Sequence, residues 1–347
     1  MKPEGRAGSW WQWALGGGLF LSVVVLVHLS VGWGSLLAPW GEMPPGSLIL
    51  ALFLVLLSYG IRAIRVHLYF APATRGGFPR SFRLILLHNL FNNLLPMRSG
   101  EASFPLLMKR EFQVPFLRSV PGLFYLRFLD LHFLLLLGSL VFAPGRGIPG
   151  WIIPILLFPA PVLAFLLQGW IQERLRTKRG DPEREINWLR GLPASWGLFL
   201  GSWFWTAVNW SVKLMVFAWI LRAFSSVPYA TALLGSITGE LSSVLPIHGL
   251  AGAGTYEAGV LVGLLPMGVE AEAALAGAVN LHLFVLGASI LSGLLALALP
   301  RRPEPGPGGS GSSRAEASGP GSGEPGVRKG RTFGTFQPET GEPDDRS

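Results

Sequence analysis

Two stretches place polar chemistry where the surrounding sequence is apolar. The first is Asn92-Asn93-Leu94-Leu95-Pro96-Met97-Arg98-Ser99-Gly100-Glu101. The second is Ser242-Ser243-Val244-Leu245-Pro246-Ile247-His248-Gly249, followed by Gly252, Gly254 and Glu257. Arg98 offers a rigid fork of donors suited to a phosphate. It can equally pair with Glu101 or cap carbonyls at a helix break. Glu101 and Glu257 each open a short helical segment, where a carboxylate accepts backbone N–H bonds and meets the helix dipole favourably. They can also hold a proton or cation, or face a cationic headgroup, because charge within a membrane is costly enough to imply a function. Asn92 and Asn93 suit capping of exposed carbonyls or contact with a headgroup. Gly249, Gly252 and Gly254 either form an anion nest or permit close helix packing. His248 fits a local hydrogen bond better than a metal, and the other histidines lack metal-ligand spacing. There is no cysteine. No phosphate-binding P-loop, nucleophile–base pair or basic nucleic-acid surface is evident, so neither cofactor nor metal is expected.

These stretches need a frame, and composition says what kind. Half of the residues are hydrophobic, 14% are charged, and mean hydropathy is +0.45. That is the signature of an all-α polytopic membrane protein, since lipid leaves only helices or closed barrels with satisfied backbones. Net charge is +8. From residue 300 onward seven Lys/Arg balance seven Asp/Glu, so the excess of 21 basic over 13 acidic residues lies in 1–299. The tail 300–347 is rich in Gly, Pro and Ser and is expected to be disordered and cytoplasmic. Lys2 and Arg6 precede an apolar run too long for a cleaved signal peptide, so an uncleaved first helix is expected.

Hydropathy predicts spanning helices over 13–32, 47–70, 121–142, 151–167, 195–220 and 274–299, with a polar turn over 34–46. Arg62, Arg65, Arg75, Arg80 and Arg83 mark the end of the second helix as cytoplasmic. Between the second and third helices, 81–96 spans only about 24 Å, short of a core near 30 Å. Pro96 removes a donor and Gly100 permits a reversal. With 101–112 returning to Lys109 and Arg110, the segment reads as a re-entrant hairpin from the cytoplasmic side. A second hairpin, 229–246 and 255–266 around Pro246, has almost no basic flank and is expected to enter from outside. Trp40, Trp151, Trp170 and Trp196 fall at predicted interfaces.

Each half then has the order helix, helix, broken hairpin, helix, giving inverted repeats over about 10–143 and 150–299. Gly/Pro-interrupted segments in matching positions point to a transporter's binding site. Leu95-Pro96 and Leu245-Pro246 correspond, as do Ser99-Gly100-Glu101 and Thr255-Tyr256-Glu257, and Arg62 and Arg65 have a rough counterpart in Lys213. Arg127 and Asp130 stand three apart on one helix face and are expected to form an ion pair tying helix to hairpin, with a relay as the sharper alternative. Glu240 is a candidate partner for Lys213.

Asn92 to Glu101 and Leu245 to Glu257 resemble the two signature stretches of the lysylphosphatidylglycerol synthase transmembrane-region, or flippase-like, family. The resemblance covers about residues 10–299. It implies a lipid-handling membrane domain, with phospholipid, polyprenyl-phosphate, glycolipid or hopanoid lipids as candidate substrates and lipid-synthesis enzymes as candidate partners. The large synthases carry a soluble aminoacyl-transferase domain after the membrane part; no such domain is evident here, so synthase activity is not implied. The family's Glu-Arg-x-x-Asp pattern becomes Leu126-Arg127-Phe128-Leu129-Asp130, and Asn280 and His282 stand where an arginine often occurs. The expected function is movement of an anionic lipid between leaflets of a bacterial or archaeal cytoplasmic membrane by alternating access, with both termini cytoplasmic. The predicted binding residues are Arg98, Glu101, Asn92, Asn93, His248 and Glu257. Alternatives are a membrane-embedded lipid transferase and a non-catalytic subunit of a lipid-synthesis complex.

Overall fold

The computed structural model describes residues 10–179, 191–243 and 249–301, with the side chains at 10–13, 15, 16, 96–98, 172, 173 and 175–179 excepted. Every regular element among them is a helix. In chain order they are α1 (Trp10–Ser30), α2 (Trp33–Glu42), α3 (Pro45–Tyr69), α4 (Phe78–Leu94), α5 (Ser103–Phe112), α6 (Phe116–Phe142), α7 (Gly147–Leu157), α8 (Ala160–Arg179), α9 (Trp196–Ser225), α10 (Tyr229–Ser242), α11 (Thr255–Leu264) and α12 (Ala271–Ala298). Short 3₁₀ segments, Pro96–Ala102 and Leu250–Gly252, precede α5 and α11. Six helical stretches are long and apolar enough to cross a membrane, or seven if the bent pair Gly17–Ser30 and Trp33–Glu42 is one span. The protein is therefore an all-α, multi-pass membrane protein.

Two segments differ from expectation. The polar turn expected over 34–46 is largely helix α2, turned 86° from α1. Gly32, at φ 77°, takes the left-handed backbone that such a corner requires. Its Leu36 is buried, and Trp40 ties it to the helices beneath: its Nε1 donates to Asn280 Oδ1 at 2.7 Å and its ring lies 5.0 Å from Phe224. The fourth expected span lies within one apolar stretch, Gly147–Ile171, whose helix is interrupted near Pro159 between α7 and α8. Ile148, Ile155, Leu156 and Phe158 on it are exposed, as a lipid-facing surface requires. One candidate span, Leu250–Met267, contains only the ten-residue α11 between two 3₁₀ turns. Ten residues rise about 15 Å, half of a bilayer core.

The two broken hairpins are built on α12. Arg83 Nε, near the start of α4, donates to Ala296 O at 3.1 Å, and Asn93 Nδ2, near its end, donates to Ser289 Oγ at 2.5 Å. So α4 runs antiparallel to α12 from its C-terminal end inward. At that same end Arg80 lies over Phe112 at 5.2 Å and Arg83 pairs with Glu111 at 2.9 Å, so the first hairpin enters and leaves together. The second hairpin begins at the other end of α12, where Gly277 abuts Ser225 just before α10. Its arms form an antiparallel seam of small residues. A Cβ on Gly263 would lie 2.8 Å from Gly235 Cα, and one on Gly259 would lie 2.6 Å from Ser242 Cβ. Both tips reach the middle of α12, about 42 Å long, and touch each other there.

Candidate functional site

A cavity of about 570 Å³ opens where the two tips meet. α3 contributes Tyr59 and Arg62, and α4 contributes Asn89, Asn92 and Asn93. Glu101 comes from the first tip; Ala251, Gly252 and Tyr256 come from the second. Arg127 and Asp130 project from α6, Trp210 and Lys213 from α9, Glu240 from α10 and His282 from α12. The side of α6 also supplies Phe124, Phe128, Leu131 and Leu134, and Phe124 and Phe128 are exposed. The cavity thus has a charged floor and an apolar wall that reaches the outer surface.

The floor is an ordered set of ion pairs. Arg65 Nη1 lies 2.6 Å from Asp130 Oδ1, and Arg127 Nη1 lies 3.5 Å from Asp130 Oδ2. Arg127 Nη2 lies 2.7 Å from Glu101 Oε1, and Lys213 Nζ lies 2.9 Å from Glu240 Oε2. Trp210 organises the α9 side: its Nε1 donates to Asp130 Oδ1 at 2.8 Å, and Arg62 and Lys213 stand 5.7 and 4.9 Å from its ring. Four cations, Arg62, Arg65, Arg127 and Lys213, therefore face three carboxylates, Asp130, Glu101 and Glu240. Arg62 is the cation with no carboxylate within 4.0 Å among the described residues; its Nη1 donates to Asn89 Oδ1 at 2.8 Å. It is 8% exposed, and Arg62 Nε, Asn89 Nδ2 and Asn92 Oδ1 have no hydrogen-bond partner among the described residues. Burying a charge with no carboxylate in contact is expensive; among the described residues Asp130 offsets it only from beyond 4.0 Å, which leaves a place for one anion at Arg62.

Of the residues singled out by sequence, Asn92, Asn93, Glu101, Arg127, Asp130, Lys213, Glu240 and Gly252 line this one cavity. Asn93 bonds to α12 rather than capping its own helix. Gly100 packs on the α4 end, where a Cβ would meet Phe91 O at 2.4 Å. Glu257 does not line the cavity. Its Oε2 accepts from Gly254 N at 2.8 Å, which is the capping role, and its Oε1 faces His282 Nδ1 at 2.7 Å. Pro96 opens a 3₁₀ segment. The side chain of Arg98, and Pro246 and His248 altogether, lie outside the described residues, as does the tail from 302.

In the sequence Arg62 stood out as a topology mark and a repeat counterpart, and His282 as a replacement for a family arginine, but neither as a site residue. The usable signal was an arginine four turns into an apolar helix, where a charge needs a partner from elsewhere.

Residues 13–293 match the family model described as the lysylphosphatidylglycerol synthase TM region. The chain belongs to that family. The match takes in α3 to α11, both hairpin tips and most of α12, so the cavity lies wholly within the family region. No curated protein matches the chain. This membrane region of a lipid-related family is therefore the part of the molecule that carries the site.

Proposed function

We propose that this protein carries a lipid with an anionic headgroup from one leaflet to the other. The headgroup enters the cavity and its anion pairs with Arg62, while the acyl chains lie along the apolar wall of α6. The observation that carries this reading is Arg62, buried on the cavity wall with no carboxylate beside it. An arginine fork suits a phosphate oxygen pair, and Asn89 and Asn92 add hydrogen-bonding capacity. The wall at Phe124 and Phe128 gives an amphiphile a continuous path from lipid to floor. A transferase would need a free base or nucleophile, whereas Glu101, Asp130 and Glu240 are each held by a cation.

The hairpins support alternating access. Their bases lie at opposite ends of α12 and their tips meet at its middle, as an inverted pair of repeats would place them. Arg75, Arg80, Arg83, Lys109, Arg110 and Arg301 gather around the base of the first hairpin and the end of α12. By the positive-inside rule this end faces the cytoplasm of a bacterial or archaeal cell.

The test is movement of fluorescent phosphatidylglycerol in liposomes, read by its protection from an impermeant quencher. The wild type should move it faster than phosphatidylcholine, and folded Arg62→Ala should be slower by about tenfold or more, the loss of one charge-assisted contact. Equal rates for Arg62→Ala would remove the anion site. A new lipid product without movement would favour the transferase.

A further inference from the structure

The two hairpin tips each bring a histidine to a glutamate, and the hydrogen bonds around the two differ in one proton. At the first tip, His88 Nε2 lies 3.2 Å from Arg127 Nη2 and Nδ1 lies 3.0 Å from Ser103 Oγ. A guanidinium only donates, so Nε2 must accept and the ring is neutral with its proton on Nδ1. His88 Nε2 stands 3.7 Å from Glu101 Oε2, beyond hydrogen-bond distance. At the second tip both ring nitrogens of His282 face acceptors. Nε2 lies 2.9 Å from Ala251 O, which can only accept, and Nδ1 lies 2.7 Å from Glu257 Oε1. A neutral ring beside an ionised carboxylate would set two lone pairs against each other at that distance. One further proton must lie between them, as imidazolium–carboxylate or imidazole–carboxylic acid.

We propose that His282 and Glu257 form a proton-binding site, and that this proton is exchanged during each cycle of the lipid movement proposed above. The proton enters from water on one side and leaves to water on the other, and lipid travels on one leg of the exchange. The placement makes the coupling mechanical. The pair joins α12 to the second tip through Ala251, whose φ is 53°, and through Glu257, which also caps α11 at Gly254. Loss of the proton sets the two acceptors in repulsion and frees the tip. Ala251, Gly252 and Tyr256 on that tip line the cavity, so its shape follows the proton.

Charged and polar groups surround the pair. Tyr256 on α11 lies 4.7 Å from the His282 ring. Tyr59 and Arg62 on α3, Lys213 paired with Glu240 across α9 and α10, and Glu101 with Arg127 and Asp130 face the same cavity. α4 brings Asn92 and Asn93, and α1 brings Leu19 against Gly254.

Glu257→Gln is the informative variant. Its amide oxygen can accept from Gly254 and its amide nitrogen can donate to His282 Nδ1, so the contacts survive without the extra proton. Two measurements separate the proton site from the transport reading. The full chain in lipid nanodiscs, titrated from neutral to alkaline pH, should release one proton more per chain than Glu257→Gln. In liposomes enclosing a pH-sensitive dye, an imposed pH gradient should accelerate lipid movement by the wild type and acidify or alkalinise the lumen with it. Glu257→Gln should move lipid at a rate independent of the gradient. Equal proton release by the two chains overturns the site. Wild-type lipid movement indifferent to the gradient overturns the coupling. Movement of no lipid while the extra proton is still counted overturns the transport reading and leaves the site standing.

Discussion

Asp130 is where three helices meet at the level of single atoms. Its oxygens take Arg65, Arg127 and the Trp210 indole, and the carboxylate is 3% exposed. Removing its charge leaves Arg65 buried without a countercharge, which costs about 3–5 kcal/mol. Asp130→Asn should lower the melting temperature in detergent by roughly 5 °C or more. Glu101→Gln should cost less, because the Glu101 and Arg127 side chains keep 21% and 23% exposure to the cavity. Equal melting of both variants and wild type would mean that the buried network contributes nothing to the fold. This network was only half legible in the sequence. The i, i+3 spacing showed that Arg127 and Asp130 share a face, and they do lie 3.5 Å apart. Their closer partners, Glu101 and Arg65, are on other helices, and spacing along one helix carries no information about those.

At the scale of elements, the second hairpin depends on absence of side chains. Gly235 and Gly239 on α10 and Gly259 and Gly263 on α11 repeat every four residues, so each pair lies on one helix face. Without water to drive association, close backbone approach and dispersion hold the arms. A Cβ on Gly263 would meet Thr238 Oγ1 at 2.3 Å and Leu234 O at 2.9 Å. The oxygen of Leu234 is backbone and cannot swing aside, so Gly263→Leu should part the arms and sharply reduce the yield of monodisperse protein. Gly287→Ala in α12 has nothing within 4 Å and should behave as wild type. Identical size-exclusion profiles for the two variants would refute the seam. The long helices were legible because a spanning segment needs a long apolar run and little else. Helix α2 was missed because Pro39, Pro44 and Pro45 read as turn. Pro44 and Pro45 in fact sit where α3 starts, and Pro39 lies inside a ten-residue helix. The break in the fourth span was hidden by unbroken apolarity through Pro154, Pro159 and Pro161.

In the membrane unit, two half-depth hairpins hang from opposite ends of one long helix, α12. That arrangement explains why the cavity is central: the tips reverse the chain beside the middle of α12, and a reversal exposes backbone groups that lipid cannot satisfy. Enclosing both tips between α3, α6, α9 and α12 answers that cost and gathers their polar side chains in one place. The sequence indicated the pairing of the two stretches, but not that α12 would be their common ruler, because α12 carries no charge between Glu272 and Arg301 to mark it. The arrangement makes a topological demand that can be measured. The chain has no cysteine, so a single introduced thiol reports one position. Lys109, at the base of the first hairpin, and Met267, at the base of the second, are both exposed. In oriented vesicles Lys109→Cys should react with an impermeant maleimide from the cytoplasmic side alone, and Met267→Cys from the opposite side alone. Asn93→Cys and Ser243→Cys, which line the cavity near its middle, should change their reactive side when substrate lipid is added, because an alternating site is open to one side at a time. Reaction of Lys109→Cys and Met267→Cys from the same side would mean that the hairpins enter together. A lipid held between their tips would then have no second side to reach.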